Sequence, residues 1–210
     1  MKLRTTGVLY LVTHVTSVGA VILYGRLLTD PSAGTSLNVQ VGALLEIILA
    51  LAIVGTAVGL FPVLKSYGEG VALGYVGLRT LEAAVIAVGV VPLMALPSTN
   101  AATLVALHNE TFLLGPGFVC GANTVLAAYL MYRSGLVPKI IPILGLIGGP
   151  ALFLISAAQL LGLVAQFSSA AAAPAAPVFA WELSLALYLI VRGNSRERGA
   201  AHVLTAPVPG

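Results

Sequence analysis

Charge is what this chain has least of. Among 210 residues, ten are Lys or Arg and seven are Asp or Glu, so 8% are charged where a soluble domain carries about 25%. A water-soluble globular domain of this size cannot cover its surface with so few charges, and that class is excluded. Cysteine is almost missing too. Cys120 stands alone, which excludes an intramolecular disulfide and a cysteine-rich metal cluster and leaves it as a small apolar packing residue. Catalytic signatures are also lacking: there is no HExxH, no P-loop, no GxGxxG leading out of a strand and no defensible Ser-His-Asp order. His108 and Glu110, in "LHNETF", fall short of the three protein ligands that zinc takes, so neither a metal site nor a cofactor is expected.

What the chain has instead is apolar length. Hydrophobic residues make up 59% and the mean hydropathy is +1.03, the composition of a membrane protein. Six stretches approach or exceed the roughly 20 apolar residues that a bilayer crossing requires. They lie at about 7–28, 39–64, 70–96, 108–132, 139–167 and 175–192, with boundaries uncertain by about four residues. The expected fold is therefore all-α, a polytopic membrane protein with a six-transmembrane-helix bundle. It forms a single domain over 1–193, followed by a short cytoplasmic tail at 194–210 that reads as disordered. "TDPSAGTSLN" and "LPSTN" supply turn chemistry between spans. "SSAAAAPAAP" is a low-complexity link too rich in proline to be wholly helical. The opening "MKLRTTGVLYLVTHVTSVGA" has the basic start of a signal peptide, but its apolar run continues through "VILYG". That exceeds the usual apolar region of about 7–15 residues, so it is expected to remain as the first helix.

Lysine and arginine set the threading. With six crossings both termini share one side, which gathers Lys2, Arg4, Lys65, Arg133, Lys139, Arg192, Arg196 and Arg198, against Arg26 on the other. The positive-inside rule places the termini in the cytoplasm and the protein in the inner membrane. Topology accounts for the formal net charge of +3 without a nucleic-acid partner.

A few ionisable residues interrupt the apolar runs. Tyr75, Arg79 and Glu82 are spaced by four and three, which puts them on one stripe of the third helix. At 1.5 Å per residue, Arg79 lies about 14 Å and Glu82 about 18 Å into the membrane. Glu46 of helix two and Glu182 of helix six fall roughly 10 Å below the outer surface. The expectation is that three carboxylates converge on Arg79, a cluster that must take up a proton, recruit Arg26 or His14, or bind a cation. His14 and Asn123 are further polar candidates within the bundle. The competing reading is a structural knot, with Arg79 on Glu82, Arg26 on Glu46, and Glu182 hydrated.

Glycines read as packing surfaces. "GTAVG", "GFVCG" and "GLIGG" each bring small residues onto one helix face. In "LLGPGF", Pro116 between Gly115 and Gly117 is expected to break or kink helix four and to free carbonyls inside the membrane.

Three stretches together carry a likeness to a known family: "LFPVLKSYGEGVALGYVGLRTLEAAVIAVGVV", "FLLGPGFVCGANTVLAAYLMYRSGLVPKIIPILGLIGGP" and "WELSLALYLIVRG". In these the chain resembles the bacterial membrane family catalogued as domain of unknown function 4386, from the first helix to Gly193. The resemblance implies a one-domain membrane protein of six helices, with Arg79, Glu82, Gly115, Pro116, Gly117, Arg133, Pro138 and Glu182 in motif positions. It implies no activity. The lipid bilayer is an expected partner, with a small-molecule ligand or a proton or cation beside it. Small-molecule or proton- or cation-linked binding or transport through the Arg/Glu cluster is the leading expectation. A structural or regulatory membrane partner comes second, and an intramembrane enzyme acting on a lipid or quinone-like substrate third. The sequence fixes no oligomeric state.

Overall fold

The computed structural model describes residues 2–31, 36–96 and 100–205, with side chains as far as Gly193. Met1, residues 32–35 and 97–99, where turn chemistry is expected, and residues 206–210 lie outside the described residues. All the regular structure described is helical, and six helical segments are long and apolar enough to cross a membrane.

The first span is α1, Leu3–Tyr24, extended by a 3-10 turn over Gly25–Leu28. The second is α2, Leu37–Leu64, and the third α3, Glu69–Ala95. The fourth span begins with α4, Ala101–Phe112, seven residues before the expected start at 108. Asn100 is the reason: its side chain accepts the Ala102 N–H at 3.1 Å and caps the helix. After a wide segment at Leu113–Val119, the span continues as α5, Cys120–Ser134, and ends where Gly135 turns left-handed at φ +61°. The fifth span, α6, covers Ile140–Leu160. It stops short of the expected 167 because Gly162, at φ +72°, turns the chain away. The sixth begins with a single turn, α7, Ser169–Ala172, and passes through "AP" into α8, Ala175–Thr205. The Ala-Pro tract is thus helical on both sides of a break at 173–174. Helix α8 runs past Gly193, where a disordered tail is expected, and its Arg-Glu-Arg and alanine residues are good helix formers.

Each span packs against its neighbours in chain order, and the ring closes between α8 and α1. This order, invisible in the sequence, decides which polar residues meet. Large apolar side chains cover the outside of the bundle, and its few intramembrane charges lie inside, among a mainly apolar core. Val15, Ile22, Leu51 and Met94 are at least 70% exposed, whereas Glu46, Thr56 and Arg79 are 2% exposed or less. That arrangement suits a hydrocarbon surround. Buried hydroxyls fold back onto their own helices, Thr13 onto the Tyr10 carbonyl and Thr56 onto the Ile53 carbonyl, both at 2.7 Å, so they cost little in the membrane.

Pro116 does not break its span. Residues Leu113–Val119 form a π-helix, in which the Cys120 N–H reaches back five residues to the Gly115 carbonyl. Widening the turn accommodates a residue with no N–H and moves its ring off the preceding carbonyls, so of the expected break or kink the break does not occur and the helix bulges instead. The flanking glycines make room for the bulge. A side chain at Gly117 would begin 2.6 Å from Ser156 Oγ on α6, and one at Gly115 would begin 3.2 Å from Val85 on α3.

Candidate functional site

Arg79 is the centre of the polar interior. One turn along α3 from Tyr75 and one turn before Glu82, it points into the ring, where its side chain is 2% exposed. Its Nη1 donates to Glu82 Oε2 at 2.9 Å and its Nη2 to Glu182 Oε1 of α8 at 2.8 Å. Glu82 Oε2 also accepts Asn123 Nδ2 of α5 at 2.8 Å. Three helices are therefore tied together, α3 to α8 through the guanidinium and α3 to α5 through the Glu82 carboxylate. Charge-assisted bonds of this length are strong, and a planar fork serving two acceptors is a task for Arg and not for Lys. With both carboxylates ionised the group carries one surplus negative charge. Arg79 also keeps one buried donor, Nε, without a partner.

Two residues of α1 complete this wall. Tyr10 places its ring 5.4 Å from the Arg79 guanidinium, a cation–π distance, and its hydroxyl meets that of Tyr75 at 2.9 Å. Tyr10 escapes the sequence argument, although it sits one turn before His14 on the same face and that spacing is a usable signal. His14 is held by its Nδ1 on the Tyr10 carbonyl at 2.8 Å and edges onto the Phe179 ring at 4.5 Å. It borders a cavity of about 200 Å³ whose polar wall is Arg79, Glu82 and Glu182, with Ile53, Ile86, Phe112 and Val178 among the apolar lining. Tyr10→Phe deletes one buried hydroxyl pair and is expected to cost about 1 kcal/mol of stability. The exposed Tyr132→Phe should cost nothing measurable. Thermal unfolding of the two variants in detergent makes the comparison.

Glu46 is not part of this cluster. The expected convergence of three carboxylates on Arg79 is a convergence of two, because the face of α2 that carries Glu46 turns toward α4 and the end of α1. There Glu46 Oε1 lies 3.7 Å from His108 Nε2, and Tyr24 adjoins the carboxyl group without a formed hydrogen bond. Arg26 does not pair with Glu46 either. Its side chain is 87% exposed and stands 3.9 Å from Asp30. His108 donates Nδ1–H to the Gly89 carbonyl at 2.9 Å, an approach allowed because a side chain at Gly89 would collide with Thr111.

Glu46, His108 and Tyr24 line a second chamber of about 450 Å³, which reaches Gly25, Thr29 and Gln166 at the end of the bundle away from the N-terminus. Phe112, Pro116, Leu152 and Ala175 border both spaces, so the π-helical bulge contributes to the partition between them. Gly115 and Gly117 serve that partition through packing. Among the described residues no three His, Cys, Asp or Glu side chains gather to hold a metal ion.

Comparison with curated proteins gives no match, and comparison with solved structures gives none. The family described as domain of unknown function (DUF4386) matches residues 5–193, nearly the whole bundle and both walls of the Arg79 site. On that match, a multi-pass helical bundle with six membrane-length apolar spans, the chain belongs to this family.

Proposed function

We propose that the protein binds a proton or a small cationic or hydrogen-bonding ligand at the Arg79–Glu82–Glu182 group, as the substrate or coupling site of a small-molecule transporter or receptor in the bacterial inner membrane. One observation carries this reading: the arginine and both glutamates form the wall of a half-open pocket and are not enclosed on all sides by packed side chains. A built apolar cavity with a few convergent polar groups is the usual form of a ligand site, and intramembrane ionisable residues mark substrate and ion paths. The surplus negative charge favours a proton or cation over an anion. The excess of Lys and Arg on the side of the termini supports a cytoplasmic placement for both, which would open the larger chamber to the outer side.

A second reading rests on the short, closed contacts of Arg79 to α3 and α8. In it the group is a clamp that holds helices together for a protein partner, with no ligand. Glu182→Gln separates the two. If the site stores surplus negative charge, removing one carboxylate leaves Glu82 and Arg79 balanced. The variant should then melt no lower than the native protein above about pH 7, with a flatter dependence of Tm on pH between about 5 and 9. A lower Tm across that whole range sinks the binding reading and leaves the clamp.

A further inference from the structure

The least satisfied polar group in the bundle lies outside the Arg79 site. Glu46 is 0% exposed, and neither of its carboxylate oxygens has a hydrogen-bond partner, nor has the hydroxyl of neighbouring Tyr24. A buried carboxylate left in that condition is costly. The imidazole beside it does not relieve it. The Gly89 carbonyl can only accept, so the proton of neutral His108 sits on Nδ1, and Nε2 turns a lone pair toward Glu46 from 3.7 Å. Two acceptors thus face each other across a gap too long for a hydrogen bond. The Tyr24 hydroxyl can turn one neutral donor toward Glu46, but no positive charge meets the carboxylate: no Lys or Arg lines the chamber, and Glu46 is the only acidic residue among its described lining.

We propose that this chamber is a binding site for a compact organic amine. The ammonium group sits between Glu46 and His108 Nε2, donating to both, with the Tyr24 hydroxyl oxygen as a third acceptor. The hydrocarbon body lies against Val21, Leu28, Ile155 and Phe167. A volume of about 450 Å³ is in the range of small-molecule pockets. A bare metal ion fits poorly, because one carboxylate and one imidazole provide fewer ligands than zinc, calcium or magnesium takes. The site is independent of the Arg79 reading, since the two polar groups belong to separate cavities divided by Phe112, Pro116, Leu152 and Ala175.

The test is equilibrium binding of radiolabelled 1-aminoadamantane to the purified full-length chain in detergent, with 1-adamantanol as the neutral counterpart of the same shape. Saturable amine binding is expected. It should weaken by about tenfold or more in Glu46→Gln, stay within about twofold in Glu82→Gln, and be about tenfold tighter than that of the alcohol. Should Glu46→Gln not fold, Ile155→Trp keeps the carboxylate and fills the chamber, and it is expected to abolish binding. Absence of saturable binding overturns the proposal. So does retention of full affinity in both Glu46→Gln and Ile155→Trp, or equal binding of amine and alcohol. Loss of binding in Glu82→Gln alone would put the amine in the inner cavity, overturning this site while supporting the Arg79 reading.

Discussion

Replacing Arg79 by Met lowers the stability of the detergent-solubilised protein by about 3–5 kcal/mol, the cost of removing one partner from a buried ion pair. The size follows from what is left behind. Glu82 and Glu182 would face each other inside the bundle with no cation between them, and Asn123 would remain the only donor of the group on Glu82. The loss is one of uncompensated charge and not of a favourable net interaction, because ion pairs that are removed whole often cost little. The triple exchange of Arg79→Met with Glu82→Gln and Glu182→Gln should therefore recover most of the stability. Trp181, the only tryptophan, is 1% exposed and adjoins Glu182, so its fluorescence follows the release of α8 directly. Native-like melting of Arg79→Met would mean that the glutamates are neutral or solvated and that the arginine is dispensable to the bundle.

How much of this was legible in the sequence depends on whether the relevant geometry is local. Tyr75, Arg79 and Glu82 lie within two turns of one helix, so 3.6-residue spacing puts them on one face, where Glu182 meets Arg79, Asn123 meets Glu82, and Tyr75 meets Tyr10. Glu46 shows where that logic ends. Its depth in the membrane follows from counting residues, but its direction depends on how α2 is rotated against α3 and α4, which is a property of packing. His108 was hidden for a related reason. Starting helix four at 108 puts the imidazole at the membrane surface, whereas the Asn100 cap starts it at Ala101 and carries His108 about two turns inward, to 2% exposure beside Glu46. The signal was present in "STNAATL" as an Asn preceding helix formers. Pro116 marks the place of the irregularity but not its form. Proline announces that an α-helical turn cannot continue undisturbed, yet whether the chain breaks or widens is decided by the room that Gly115 and Gly117 find against α3 and α6.

Gly149→Leu is expected to lower stability by about 3 kcal/mol or more. The small-residue pattern of "GFVCG" and "GLIGG" allows helices to approach closely, and at this crossing the approach is backbone to backbone. A Cβ built on Gly149 lies 2.8 Å from the Gly121 carbonyl, and one built on Gly121 lies 2.9 Å from the Gly149 carbonyl and 2.9 Å from the Phe153 nitrogen. Flexible side chains can rotate out of such a contact, but main chain cannot, so α5 and α6 must separate. Gly145, one turn earlier on α6, gives no slack, since its own Cβ position is 2.8 Å from Ala128 and 2.9 Å from the Trp181 ring. The damage should extend beyond stability. Leu152 borders both cavities from α6, and a displaced α6 would open the partition between the Arg79 group and the Glu46 chamber. Gly77→Leu is the control. It sits on the outer face of α3 with nothing within 4 Å of its Cβ position, and exchanging an exposed helical glycine for leucine should gain about 0.5–1 kcal/mol from helix propensity. Thermal unfolding of both variants, followed at Trp181, reads the contrast. Equal melting temperatures would show that α5 and α6 do not touch through their backbones.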